Sequence, residues 1–125
     1  MQSLAGGWSG MAIHTPVGPT PYDINFKYSN ENCISGIANN NFSDHYWMFC
    51  DSSGNLTLEF MSDFRGNDRS ILLQLISQDE NVFVFRADTH QFMDVVVEPG
   101  KDQVHIKIMH YGELHVAIEL QRNPA

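Results

Sequence analysis

Gly6-Gly7-Trp8-Ser9-Gly10 opens the first apolar segment of the chain, and Arg122 closes the last one. A large aromatic set between glycines suits a strand whose backbone bends and comes close to a neighbour. In a sheet that closes on itself, first and last strands become neighbours. Trp8 would then plug one end of a barrel, with the Arg122 guanidinium over the indole face, a contact worth roughly 0.5–2 kcal/mol. The spacing of everything between these two residues decides whether such closure is available.

No segment carries an apolar period of 3.6. Short alternating or fully apolar runs recur instead, each followed by turn residues, about every ten to twelve positions, which is an all-β signal. The runs predict strands at Trp8–His14, Tyr22–Ser29, Asn32–Asn39, Asp44–Asp51, Asn55–Ser62, Arg69–Ser77, Val82–Ala87, Gln91–Glu98, Gln103–His110 and Leu114–Arg122. Thr15-Pro16-Val17-Gly18-Pro19-Thr20-Pro21 has to be a loop, because its prolines cannot donate to a ladder. The other connections are short, so successive strands are antiparallel neighbours. Ten strands strain a flat sheet, and closure removes exposed edges. The expected fold is one all-β domain over residues 1–125, a single antiparallel up-and-down β-barrel of about ten strands with essentially no helix.

Register arguments sharpen two hairpins. A three-residue loop Tyr111-Gly112-Glu113 opposes Ile108 to Val116 and unites the rows Val104, Ile106, Ile108 and Val116, Ile118, Leu120 on one face. The other face then carries His105 opposite Glu119, Lys107 opposite Ala117 and Met109 opposite His115. A four-residue loop at 40–43 opposes Asn39 to Asp44, and so places Cys33 opposite Cys50. In a reducing compartment both are expected as free, buried thiols.

The chain has 7 basic and 15 acidic residues, a formal charge of −8. That argues against nucleic acid, whose binding rests on Lys and Arg at phosphates, and against an anionic membrane surface. No signal-peptide pattern opens the chain and no apolar run is long enough for a helical membrane span, so the cytoplasm is the default location.

The pattern Gly6-x-Trp8 at the first strand, with a basic residue at Arg122 on the last, resembles the calycin superfamily of lipocalins, fatty-acid-binding proteins and nitrobindin-like proteins. Ser43-Asp44-His45-Tyr46 is faintly similar to a lipocalin motif. The resemblance implies a barrel with a ligand in its lumen and Trp8 with Arg122 as the barrel plug. Departures are the lack of a helix-turn-helix lid after the first strand and of a helix after the last, with Thr15–Pro21 as a stand-in flap. Gly112–Arg122 also resembles the last strand of nitrobindin-like haem proteins, which implies haem or another tetrapyrrole bound through His115.

Signatures of catalysis are missing. There is no nucleophile elbow, neither cysteine has a base beside it, and Gly6-Gly7 precedes a strand and not a helix. The histidine spacing matches no metal motif. The aromatic and Met supply is generous: Tyr22, Phe26, Tyr28, Tyr46, Trp47, Phe60, Phe83, Phe85, Phe92, Met48, Met61 and Met93. A ten-stranded barrel is wider than an eight-stranded one and either fills its lumen with such side chains or keeps a pocket. The expectation is a non-enzymatic binder of a small hydrophobic or aromatic ligand, lined by Tyr22, Ile24, Phe26, Tyr46, Met48, Leu58, Phe60, Met93 and Val95, with no cofactor or metal. A filled barrel acting as an interaction module is the other class. The apolar run Tyr46–Cys50 motivates it: an outward Trp47 or Phe49 would need cover, for instance in a homodimer.

Overall fold

A computed structural model describes residues 2–40, 43–63, 70–87 and 93–124. Phe92, the predicted strand starts at Arg69 and Gln91, and residues 64–68 of the predicted polar loop lie outside the described residues. One 3-10 turn, Gln2–Leu4, precedes ten strands: β1 (Gly6–His14), β2 (Thr20–Tyr28), β3 (Cys33–Asn39), β4 (Asp44–Ser52), β5 (Asn55–Ser62), β6 (Ser70–Asp79), β7 (Val82–Ala87), β8 (Met93–Pro99), β9 (Gln103–His110) and β10 (Glu113–Arg122). Each strand pairs antiparallel with the next, and β1 pairs with β10, so the barrel is closed. The described residues contain no α-helix.

Alternation sets the inside. In β2, Thr20, Tyr22, Ile24 and Phe26 are buried while Pro21, Asp23, Asn25 and Lys27 are exposed. In β9, Val104, Ile106 and Ile108 are buried and His105 and Lys107 exposed. That settles which face of the last two strands points inward.

Three expectations are corrected. The first concerns the β4–β5 hairpin. The predicted strand bounds Asp51 and Asn55 leave Ser52-Ser53-Gly54 as the turn, which aligns Tyr46 and Met48 with the Phe60 and Leu58 row. The turn is instead the two residues Ser53 (φ 55°) and Gly54 (φ 81°), with Ser52 opposite Asn55. Two positive φ values match strand twist in such a turn. The one-residue difference flips the strand: Trp47 opposes Phe60 and Phe49 opposes Leu58 inside, while Tyr46 and Met48 oppose Met61 and Glu59 on the outer face.

The second is the β9–β10 connection. It is a two-residue turn, Tyr111 (φ 52°) and Gly112 (φ 78°), not a three-residue loop. Glu113 opposes His110 and Leu114 opposes Met109; a bulge at His115 then restores Val116 opposite Ile108. The extra residue sits in the strand and not in the loop, so the two apolar rows still unite.

The third is the cysteine pair. Cys33 opposes Cys50 as the loop length predicts, but the two are joined in a disulfide, with Cα atoms 4.2 Å apart. That is the spacing of a cross-strand pair without mutual hydrogen bonds, where side chains lie closest.

The lower end, where β1 starts and β10 stops, is closed on one side by the chain start. Arg122 lies over the Trp8 ring, 4.2 Å from its centroid. Its Nε–H donates to Lys101 O, Nη1–H to Ala5 O and Nη2–H to Ser3 O, at 2.8, 2.9 and 2.6 Å. Trp8 Nε1–H donates to Leu4 O at 2.8 Å, which seats the buried Leu4 under the barrel. Close approach explains Gly10: a Cβ there would overlap the Glu119 carbonyl oxygen of β10.

Candidate functional site

Inside the barrel the side chains divide by height. The lower and middle interior is aromatic and aliphatic. Phe26 contacts Phe49 with ring centroids 6.2 Å apart, and Phe49 contacts Phe85 at 5.8 Å. Trp47 stacks on Phe49 at 6.4 Å and lies 4.5 Å from Phe60. Leu58, Leu73, Val95, Ile106 and Ile118 fill between them.

The upper interior, toward the end of β1 and the start of β2, carries the polar groups. Trp47 Nε1–H donates to the Tyr22 hydroxyl at 2.9 Å, and Tyr22 Oη lies 2.9 Å from His45 Nδ1. Indole is only a donor, so the Tyr22 oxygen accepts from Trp47, and the hydroxyl bridges Trp47 to the His45 imidazole. Burial pushes the Tyr22 phenol far up, opposed in part by the Trp47 hydrogen bond, so it stays protonated and remains a donor. His45 is lowered to about 4, by burial first; Asp63 and Asp44 pull it back up, and His115 lowers it further. Phe60 meets the His45 ring edge-on at 5.2 Å.

Two more histidines reach the same end from the opposite wall. His110 continues the inward row of β9 and opposes the buried Met93. His115, in its bulge, stacks on His110 with centroids 4.2 Å apart and planes 19° apart. Burial, and then His115, hold His110 below its ordinary range. Thr20, 3% exposed and next in the β2 row above Tyr22, has a buried hydroxyl oxygen with no hydrogen-bond partner among the described residues. Thr15 Oγ1 accepts from Val17 N–H at 3.1 Å and donates to Gly18 O, so residues 15–18 form a compact turn, while Thr20 and Pro21, expected in the loop, belong to β2 and pair with Ala12 and Met11 of β1.

Of the nine residues expected to line the lumen, the barrel brings seven together inside: Tyr22, Ile24, Phe26, Leu58, Phe60, Met93 and Val95. Tyr46 and Met48 are outside, half-buried, with Tyr46 Oη 3.5 Å from Met48 Sδ. Their places are taken by His45, Trp47 and Phe49. The sequence held a signal for this exchange, since Ser53-Gly54 as a two-residue turn puts Trp47 and Phe49 on the Leu58 and Phe60 face. Thr20 was read as loop, and its buried hydroxyl left no mark in the pattern.

No group of three or more His, Cys, Asp or Glu side chains among the described residues is arranged to hold a metal ion. No described helix is long and apolar enough to cross a membrane. Comparisons with family models, with curated proteins and with solved structures give no match to this chain.

Proposed function

We propose that this chain is a calycin-like carrier that binds a small hydrophobic or aromatic molecule in the upper interior of its barrel. One observation carries the reading. The buried polar groups Thr20, Tyr22 and His45 are set side by side at one end of an otherwise apolar interior, where Leu or Phe would pack at lower cost. Ligand sites have this composition: apolar walls and a few fixed polar groups that orient the guest. Trp47 and Phe60 form the floor, Met93 and His110 the far wall. The polar outer face of β2 and β9 fits a barrel whose outside meets water. A disulfide persists in oxidising compartments, so Cys33–Cys50 supports such a setting over the cytoplasm.

A neutral aromatic probe, N-phenyl-1-naphthylamine, tests the reading by its own fluorescence and by energy transfer from tryptophan. Saturable one-to-one binding is expected, weakened about tenfold in Tyr22→Phe and in Thr20→Val. Lack of saturable binding, or binding that neither substitution alters, would overturn it.

Haem through His115 is a second reading, favoured by the position of His115 at this same end. It expects a Soret band on haem addition that His115→Ala abolishes.

A further inference from the structure

The Trp8–Arg122 plug covers only the β1, β9 and β10 side of the lower end. On the other side, between the ends of β2, β4 and β6, lies a cleft of about 310 Å³. Its floor is Phe49, a core residue, with Leu56, Leu75 and Phe83, which pack against the core while remaining partly open to solvent. Its rim carries Glu31 and Asp51, and among the described residues no Lys or Arg lines it. Tyr28, 54% exposed, stands at the edge.

From this apolar floor under an acidic rim we propose that the cleft is a second binding site, for small hydrophobic amines. Each part of such a ligand has a counterpart. A ring body covers Leu56, Leu75 and Phe83, removing apolar surface from water. An ammonium group meets Glu31 and Asp51, with the faces of Tyr28 and Phe83 available for cation–π contact. The volume is at the low end for small-molecule sites, which suits a one- or two-ring amine and not a long acyl chain. The protein's charge of −8 favours a cation over an anion as it approaches. The rim is also preset. Asp51 N–H donates to Asn32 O and Ser29 N–H to Cys33 O, both at 2.9 Å, and the disulfide ties β3 to β4 beside them. A guest therefore orders little on arrival.

The site is distinct from the upper interior, and the test keeps the two apart. Tryptamine, indole and indole-3-acetate share a ring and differ in charge. Titrated into the intact protein and followed by NMR shifts, tryptamine is expected to saturate the lower cleft about tenfold more tightly than indole, and indole-3-acetate not to bind there. The double substitution Glu31→Gln and Asp51→Asn, on exposed side chains, should bring tryptamine down to the indole level with an unchanged melting temperature. Thr20→Val should leave it untouched. Equal affinities across the three compounds, an undiminished tryptamine affinity in the rim variant, or loss through Thr20→Val would each overturn the proposal.

Discussion

Tyr22 is held from both sides, accepting from Trp47 and hydrogen-bonded to His45 Nδ1, so its hydroxyl links the two buried rings. Removing it in Tyr22→Phe leaves an indole N–H and an imidazole nitrogen buried without it, which costs roughly 1–3 kcal/mol for each unsatisfied group. His45 gives stability a pH dependence. Its folded-state value of about 4 is below the usual histidine value near 6.5, so the unfolded chain takes up its proton first. Stability is full above about pH 6.5 and falls as pH drops toward 4, by about 3 kcal/mol from this residue alone. Denaturant unfolding across that window should show the fall, and His45→Gln should flatten it. Glycines differ in the same residue-by-residue way. Gly10→Ala drives a Cβ into backbone and should cost about 1–3 kcal/mol. Gly7→Ala meets only the end of the Asn123 side chain and should cost less, as paired thermal melts would show.

At the scale of elements, the β3–β4 hairpin is the most tightly specified part of the barrel. Its register brings Cys33 to Cys50 across a sequence separation of 17, and the bridge fixes it. Closing a loop of this length stabilises by about 3 kcal/mol through the unfolded state. Cys33→Ser with Cys50→Ser should lower the unfolding free energy by that amount in denaturant titrations, with the fold retained. Strand positions and this register were legible because turn residues and loop length set them. Faces were harder. β4 is apolar on both sides, so its pattern holds no vote on which side is in. Only the Ser53-Gly54 turn decides, and one residue more or less in that turn exchanges Trp47 and Phe49 for Tyr46 and Met48. At β9–β10 the apolar rows on both strands vote together. The register is as expected from Ile108 opposite Val116 onward, but the extra residue is a bulge at His115 and not part of the loop, so Met109 faces Leu114 and not His115. The polar end of the interior was the least legible. Thr20, His45 and His110 come from three strands distant in sequence, and only closure brings them together.

For the whole molecule, one side chain reinforces the closure that the β1–β10 ladder makes. Arg122 joins β10 to the chain start through the Ala5 and Ser3 carbonyls and to the β8–β9 turn through Lys101, and covers the Trp8 indole. Three donors in a fixed fork are a guanidinium property that an ammonium cannot copy. Arg122→Lys is therefore expected to destabilise by roughly 2 kcal/mol or more, and to speed hydrogen exchange at Trp8 and Leu120 more than in the β3–β4 hairpin. The barrel's dependence on this last strand also orders its history in the cell. The hairpin with its two cysteines leaves the ribosome well ahead of Arg122, so it can pair and oxidise while the rest is still being made. The first strand, by contrast, must wait for its partner β10, with its Gly7 and Gly10 backbone unpaired on that side. Until then the nascent sheet is an open edge that a chaperone, or another nascent chain, can reach.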